Sequence, residues 1–196
     1  MIVSLTIVRY RKLFIPFALL AMALHRLPLW LNKRCMFYKK SFIADWWRAL
    51  GRESWTILCE PLQSHGKWNG REPFGNPNMK DYSGPVVVLT RATIRISRLR
   101  NFWSHVDEVA DLMTSVPGYI TSFGIGEAPV YRQATFSVWQ SLDAVKAFAY
   151  ISREHTEVIK LTRSENWYSE ELFARFKPLE SFGLLHGKDP LNDLSK

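Results

Sequence analysis

Phe123 to Trp139 reads FGIGEAPVYRQATFSVW, and its pattern decides the fold of the second half of the chain. Phe123 to Ile125 closes a β-rich run that begins at Tyr119, Gly126 to Pro129 carries the residues of a turn, and Tyr131 to Trp139 alternates as a half-buried strand does. Upstream, Val86 to Ile96 is rich in β-branched residues and predicts a strand. Between them Leu99, Phe102, Trp103, Val106, Ala110 and Met113 recur at helical spacing. They predict a helix over Leu99 to Met113 with that stripe on the sheet, ended by Pro117-Gly118. Downstream, Ser141 is placed to cap a helix carrying Val145, Phe148 and Ala149. A break near Ile151 to Glu154 leads into a second helical stretch through Trp167, and Glu171 to Lys177 predicts a last strand. The order β-α-β-β-α-β is that of a ferredoxin-like unit, an α+β fold whose antiparallel sheet is backed by helices.

The first half follows the same order incompletely. Ile2 to Tyr10 predicts a strand, Leu13 to Leu27 and Phe42 to Leu50 predict helices, and Trp55 to Glu60 predicts a strand, with no middle strands evident. Gln63 to Pro85 is rich in Gly, Pro and Asn and predicts a connection across the sheet. The expected organisation is an incomplete N-terminal half over 1–62, a connection over 63–85, a ferredoxin-like half over 86–182 and a tail over 183–196.

A chain of 196 residues that is 47% hydrophobic can bury one good core or two small ones. Its 8 Trp, 7 Tyr and 12 Phe either fill that core or line a cavity for a large apolar ligand. The net charge of +8 suits an anionic partner. Nucleic acid is excluded as a reading, because the basic residues are scattered and no helix-turn-helix, zinc-finger or RNA-recognition signature occurs. Cys35 and Cys59 alone give neither a disulfide framework nor a metal-ligand spacing, which fits a reducing cytoplasm. Arg9, Arg11 and Lys12 precede the apolar run Leu13 to Leu24, and Ala21-Met22-Ala23 follows a cleavage-site pattern. Against cleavage stands the strand pattern of Ile2 to Tyr10. The run is too short to span a bilayer, so it predicts a buried or membrane-touching helix.

His155 is the leading candidate for a metal ligand. It lies near the start of a predicted helix on which Ile159, Thr162 and Arg163 fall on or beside one face. An imidazole there suits a haem iron, with Arg163 two turns on toward a propionate; the plain alternative is a histidine at a helix start in solvent. Arg91 and Arg95 share a strand face with Thr93. Facing inward they need anions, either Glu127 or haem propionates, whereas facing outward they are simply solvated. Tyr131, Gln133, Thr135, Ser137 and Trp139 share another face. It either meets solvent or lines a pocket in which Gln133 and Thr135 hydrogen-bond a ligand or a bound oxygen species. Glu127 is a candidate acid, base or salt-bridge partner. Gly124-Ile125-Gly126 lacks the third glycine of a dinucleotide fingerprint. His25, His65, His105 and His186 are weaker candidates, His65 in SHGKW being the runner-up ligand and His105 lying off its helix's apolar stripe toward solvent. There is no Ser-His-Asp order, Walker loop or nucleophile elbow.

Taken in order, VSLTIVRY (Val3 to Tyr10), ESWTILCEP (Glu53 to Pro61), HGKWNGREPF (His65 to Phe74), LTRATIR (Leu89 to Arg95), FGIGEAPVYRQATFSVW and EHTEVIKLTRSENWYSEELFARF (Glu154 to Phe176) resemble the spheroidene monooxygenase family of carotenoid-oxidising enzymes. That family is similar to the dimeric α/β-barrel superfamily, in which two ferredoxin-like sheets pack into a barrel and some members hold haem through a helix histidine. The resemblance implies a haem-containing monooxygenase that uses molecular oxygen to introduce a keto group on an acyclic carotenoid by successive hydroxylations. It favours His155, which lies within the C-terminal family-like segment. The segments matching Lys40 and Ser41 abut here, where the family pattern carries a Gly-rich stretch and another strand, so the N-terminal half is expected to be shortened.

The expectation is therefore an oxidoreductase acting on an apolar polyene, supplied by an electron-donor protein. It would form a homo-oligomer or a pseudo-dimeric single chain, cytoplasmic, with peripheral contact to the inner membrane through Arg9 to Leu24. The alternatives are another haem reaction, dehydratase or peroxidase-like, and a cofactor-free binding module for a lipid or other apolar molecule.

Overall fold

Buried side chains recur at every second residue from Trp55 to Cys59 and from Leu172 to Phe176, whereas 86–89 and 136–139 are buried without a break. In the computed structural model, residues 1–10, 51–77, 82–128, 130–151, 162 and 164–192 are described. The strands are β1 (Val3–Tyr10), β2 (Gly51–Gly66), β3 (Val86–Ile94), β4 (Tyr119–Ala128), β5 (Arg132–Trp139) and β6 (Tyr168–Gly183). The helices are α1 (Leu99–Ser115), preceded by a 3-10 turn over Ile96–Arg98, and α2 (Leu142–Ile151). The predicted helices over Leu13 to Leu27 and Phe42 to Leu50, with Cys35 and His25, lie outside the described residues. So does most of the helical stretch before Trp167.

The chain divides into two compact units, one built on 58–180 and the other on 4–57 with 181–195; β2 and β6 contribute to both. In the larger unit the hydrogen-bonded order is β2-β6-β3-β5-β4. β3 pairs antiparallel with both β5 and β6, and β4 pairs antiparallel with β5. The elements β3-α1-β4-β5-α2-β6 thus build a sheet in which the first and last strands are central neighbours. This is the ferredoxin-like arrangement, an antiparallel α+β fold. In the smaller unit β1 lies beside β2, with Thr6 Oγ1 2.9 Å from Thr56 Oγ1. Trp55 is buried there, and its indole N–H donates to Ser181 and Asp189. Glu53 accepts the backbone N–H groups of His186 and Gly187.

β2 and β6 run past the predicted strands Trp55 to Glu60 and Glu171 to Lys177. Their added ends are polar, so composition does not mark them, and pairing with neighbours overrides weak local preference. β2 reaches into the predicted connection as far as Gly66, whose φ is 87°. A side chain there would collide with the carbonyl oxygen of Glu171, which explains the glycine. β4 likewise runs to Ala128 instead of stopping at a Gly126 turn, with a register shift between Gly126 and Ala128. The turn falls on Val130 and Tyr131.

One face of the larger unit's sheet packs on the helices. Val86, Val88 and Trp139 meet Ala144, Val145 and Phe148 of α2, with Val109, Leu112, Met113 and Val116 beside them. Ser141 Oγ caps α2 by accepting the N–H of Ala144 at 3.1 Å, as expected. The packed stripe of α1 is rotated from the predicted one: Trp103 is 42% exposed, and Ala110 is exposed as well. The turn carrying Val130 takes Trp103 instead, through a 3.0 Å hydrogen bond from its indole N–H to the Val130 carbonyl. The opposite face is also closed, by Val87, Leu89, Phe136, Val138, Leu172, Ala174 and Phe176, with Phe74 edge-on to Phe176 at 4.9 Å.

Candidate functional site

The register sorts the candidate residues onto two sides of the sheet, because directly paired residues project to the same side and neighbours along a strand to opposite sides. Thr90 is opposite Thr135 on one side and Phe173 on the other, and Thr135 is opposite Gly124. The next row along is Ala92, Gln133, Glu171 and Gly126. Both rows lie on the helix-facing side, beyond the apolar cluster. Thr90 is exposed although its strand is central, and Gly124 is exposed too. A Cβ built on Gly124 would meet nothing within 4 Å. His65 stacks on Phe173 at 5.0 Å, and the Arg175 guanidinium lies 5.1 Å from the same ring while donating to Gln63 Oε1.

The result is an opening with an aromatic floor at Phe173, hydroxyls at Thr90 and Thr135, and a carboxamide at Gln133. Chemically it suits a mostly apolar ligand held by few polar contacts. Of the polar face read from the sequence, Ser137 is not part of it. Ser137 is buried, and its oxygen accepts the indole N–H of Trp139 at 2.9 Å.

Arg91 lies on the other side. Its side chain is fully buried, its Nη1 donates to Glu170 Oε1 at 2.6 Å, and Nη2 donates to Asn69 Oδ1 at 3.3 Å. The guanidinium sits 5.0 Å from the centre of the Trp68 ring. Glu170 also accepts the backbone N–H groups of Asn69 and Gly70, at 2.8 and 2.7 Å. Desolvation works against its ionisation, but those two N–H groups and Arg91 outweigh it and hold the carboxyl below its ordinary value. Arg91 thus points inward as one of its alternatives had it, but pairs with Glu170, which the sequence reading passed over. The signal was available: Glu170 shares a strand face with Leu172, Ala174 and Phe176, an acid at the end of an apolar stripe. Arg95 does not share the inward face. β3 ends at Ile94, and Arg95 is exposed at the start of the 3-10 turn.

Gln133 and Arg91 therefore belong to opposite sides of the sheet, separated by the backbone of the Ala92–Gln133 pair. Glu127 sits within the irregular pairing at the end of β4. His155 and Arg163 lie outside the described residues. His65 is exposed, while His105 is half-buried, with Nδ1 2.8 Å from the Asn101 carbonyl and its ring 5.6 Å from Trp167, so it is not the solvent-facing residue that the helix stripe predicted. His186 is exposed in the smaller unit. Arg91 and Arg95 do not fit a haem cradle. Arg91 is occupied by Glu170 on the wrong side of the sheet for the opening, and Arg95 is off the strand. Among the described residues no three His, Cys, Asp or Glu side chains cluster for a metal. Cys59 is buried, which pushes its thiol up to about 12.

Fold and site together define a ferredoxin-like protein with an exposed, half-polar row on the helix-facing side of its sheet. The chain is similar to spheroidene monooxygenases. It is 35% identical over 148 residues to the spheroidene monooxygenase of Cereibacter sphaeroides, covering 75% of this chain and 46% of that protein. It is 37% identical over 147 residues to that of Rhodobacter capsulatus, covering 74% and 61%, and 35% identical over 153 residues to that of Rubrivivax gelatinosus, covering 78% and 58%. The chain thus spans roughly half the length of these relatives. No protein-family model matches it. Among solved structures, a putative monooxygenase from Fusobacterium nucleatum aligns with a TM-score of 0.47 at 10% identity, over 74% of this chain and 64% of that one. Rv0793 from Mycobacterium tuberculosis aligns with a TM-score of 0.44 at 14% identity, over 49% and 96%. Neither bears on chemistry.

Proposed function

We propose that this chain is a carotenoid monooxygenase whose polyene substrate lies along the Thr90–Thr135–Gly124 row. The observation that carries the reading is an exposed, half-polar row on the helix-facing side of a sheet that is otherwise packed on both faces. The similarity to spheroidene monooxygenases supports the substrate class. Phe173 offers an apolar surface to a conjugated chain, Gly124 leaves room for it to pass over β4, and the hydroxyls of Thr90 and Thr135 stand beside the carbon to be oxidised. Gln133, one residue pair further, donates to or accepts from the hydroxyl that the first oxidation creates. Each insertion of oxygen into a C–H bond consumes one dioxygen, two electrons and two protons and releases one water. Two insertions at one carbon, followed by loss of water, give the ketone.

Haem at His155, with Arg163 toward a propionate and Glu127 as an acid or base, remains part of the proposal; Arg91 and Arg95 do not. When bound, haem would supply the activation of dioxygen, and no role of the described residues depends on it. The electrons require a donor protein.

The test is incubation of the purified protein with an acyclic carotenoid, dioxygen and an electron source, with products read by mass spectrometry, with and without added haem. Gain of oxygen by the carotenoid is expected, with a Soret band that His155→Ala abolishes. Carotenoid retained without oxidation under every condition would leave a binding module for apolar ligands. Absence of both binding and oxidation would overturn the reading.

A further inference from the structure

The end of the larger unit nearest Tyr131 carries an apolar surface of a particular composition. Ile96 is 82% exposed, Val130 51%, Trp103 42% and Tyr131 36%. These residues form one neighbourhood. The Trp103 indole N–H donates to the Val130 carbonyl at 3.0 Å, and the Ile94 N–H donates to the Tyr131 carbonyl at 2.7 Å, two residues before Ile96. The Arg132 guanidinium lies 5.5 Å from the centre of the Tyr131 ring. Arg95 and Arg100 are exposed on either side of the 3-10 turn. The nearby acid Glu165 is engaged by Arg98, Asn101 and Trp167, which take its Oε2 at 3.3, 3.0 and 2.8 Å.

Val130 makes this more than a scatter of surface apolar residues. Its φ is 82°, in the region that favours glycine, and a β-branched side chain there costs backbone energy. Glycine or asparagine would turn the chain at lower cost. Instead the turn projects an isopropyl group at its tip, fastened from behind by Trp103.

We propose that Ile96, Trp103, Val130 and Tyr131, rimmed by Arg95, Arg100 and Arg132, dock the protein on an anionic lipid bilayer. Aromatic residues with polar tips suit the depth of the headgroups, aliphatic prongs suit the acyl boundary, and the arginines match anionic phosphates. Charge complementarity favours this occupant over a second copy of the chain, whose matching patch would set arginine against arginine. Among the described residues no helix is long and apolar enough to cross a membrane. The patch adjoins the proposed substrate row: Tyr131, in the turn before β5, is two residues from Gln133, at most about 7 Å away along the chain. On the carotenoid reading, the substrate would enter from the bilayer at that end, but docking itself does not depend on the reading.

Sedimentation of the full chain with phosphatidylcholine vesicles, with and without phosphatidylglycerol, tests the proposal without any substrate. Binding is expected only with the anionic lipid and should fall with added salt. Arg95→Gln with Arg100→Gln should weaken it by about thirtyfold, at the usual contribution of each basic residue near such a surface. Val130→Gly should weaken it while the melting temperature holds or rises, a combination that misfolding would not produce. Unchanged binding in both variants would overturn the proposal, as would equal binding to neutral vesicles. So would a concentration-dependent dimer that Val130→Gly abolishes while vesicle binding stays intact. Vesicle binding without carotenoid oxidation would leave the docking surface standing and remove only the substrate reading.

Discussion

Arg91 and Glu170 meet diagonally across β3 and β6. The register sets Arg91 opposite Leu172 and Glu170 opposite Thr93, yet Nη1 and Oε1 are 2.6 Å apart. Such diagonal neighbours are within reach of long side chains. The pair joins the sheet to the turn at Asn69 and Gly70, because the same carboxylate accepts both N–H groups.

Removing Glu170 takes the carboxylate from a fully buried guanidinium, whereas Glu170 is 22% exposed and keeps two backbone N–H donors. Glu170→Ala should cost about 3 to 5 kcal/mol, the range for breaking a buried pair, and Arg91→Ala less. Urea denaturation of both single variants and the double variant would measure this. The two losses should be far from additive.

Acid should act through the same carboxylate. The folded value of Glu170 lies below the ordinary 4.5, so its contribution is fully present above that pH and is lost as pH falls through the folded value. Glu53 and Glu165 shift in the same direction. Stability should therefore be flat near neutrality and decline below about pH 4.5, and Glu170→Gln should flatten the decline. Melting temperatures across pH 3 to 7 would show it.

Two glycines should respond oppositely to enlargement. Gly124→Leu enters open space in a strand, so stability should stay within about 1 kcal/mol of the parent or improve. Carotenoid oxidation should fall at least tenfold, because the side chain fills the proposed path. Gly66→Ala, at φ 87° and against the Glu171 backbone, should cost roughly 2 kcal/mol or more. Thermal melts with activity assays on both variants separate the two roles.

Much of the larger unit was legible, since five of its elements, from Val86 to Trp139 and again near Phe176, carry a period of two or of 3.6 that survives tertiary packing. The ends of β2 and β6 were not, because Arg52, Glu53, Gln63 and Ser169 are strand residues by virtue of their partners alone. The site was half legible. Alternation correctly grouped Gln133 with Thr135, but nothing local shows that Trp139 consumes Ser137 or that Glu170 reaches Arg91. The position of Arg95 failed for a simple reason: the face argument assumes a continuing strand, and β3 stops one residue earlier.

The position of β6 has a consequence during synthesis. It is made after both β2 and β3, yet it lies between them. Until the ribosome has delivered Tyr168 onward, a nascent chain holds two facing strand edges with no partner between them, one of them bearing the apolar run Val86 to Leu89. Unpaired edges of that kind invite pairing with other chains, and closing them requires contacts far apart in sequence. The interval before β6 is delivered is therefore the one in which a chaperone that shields strand edges would matter most.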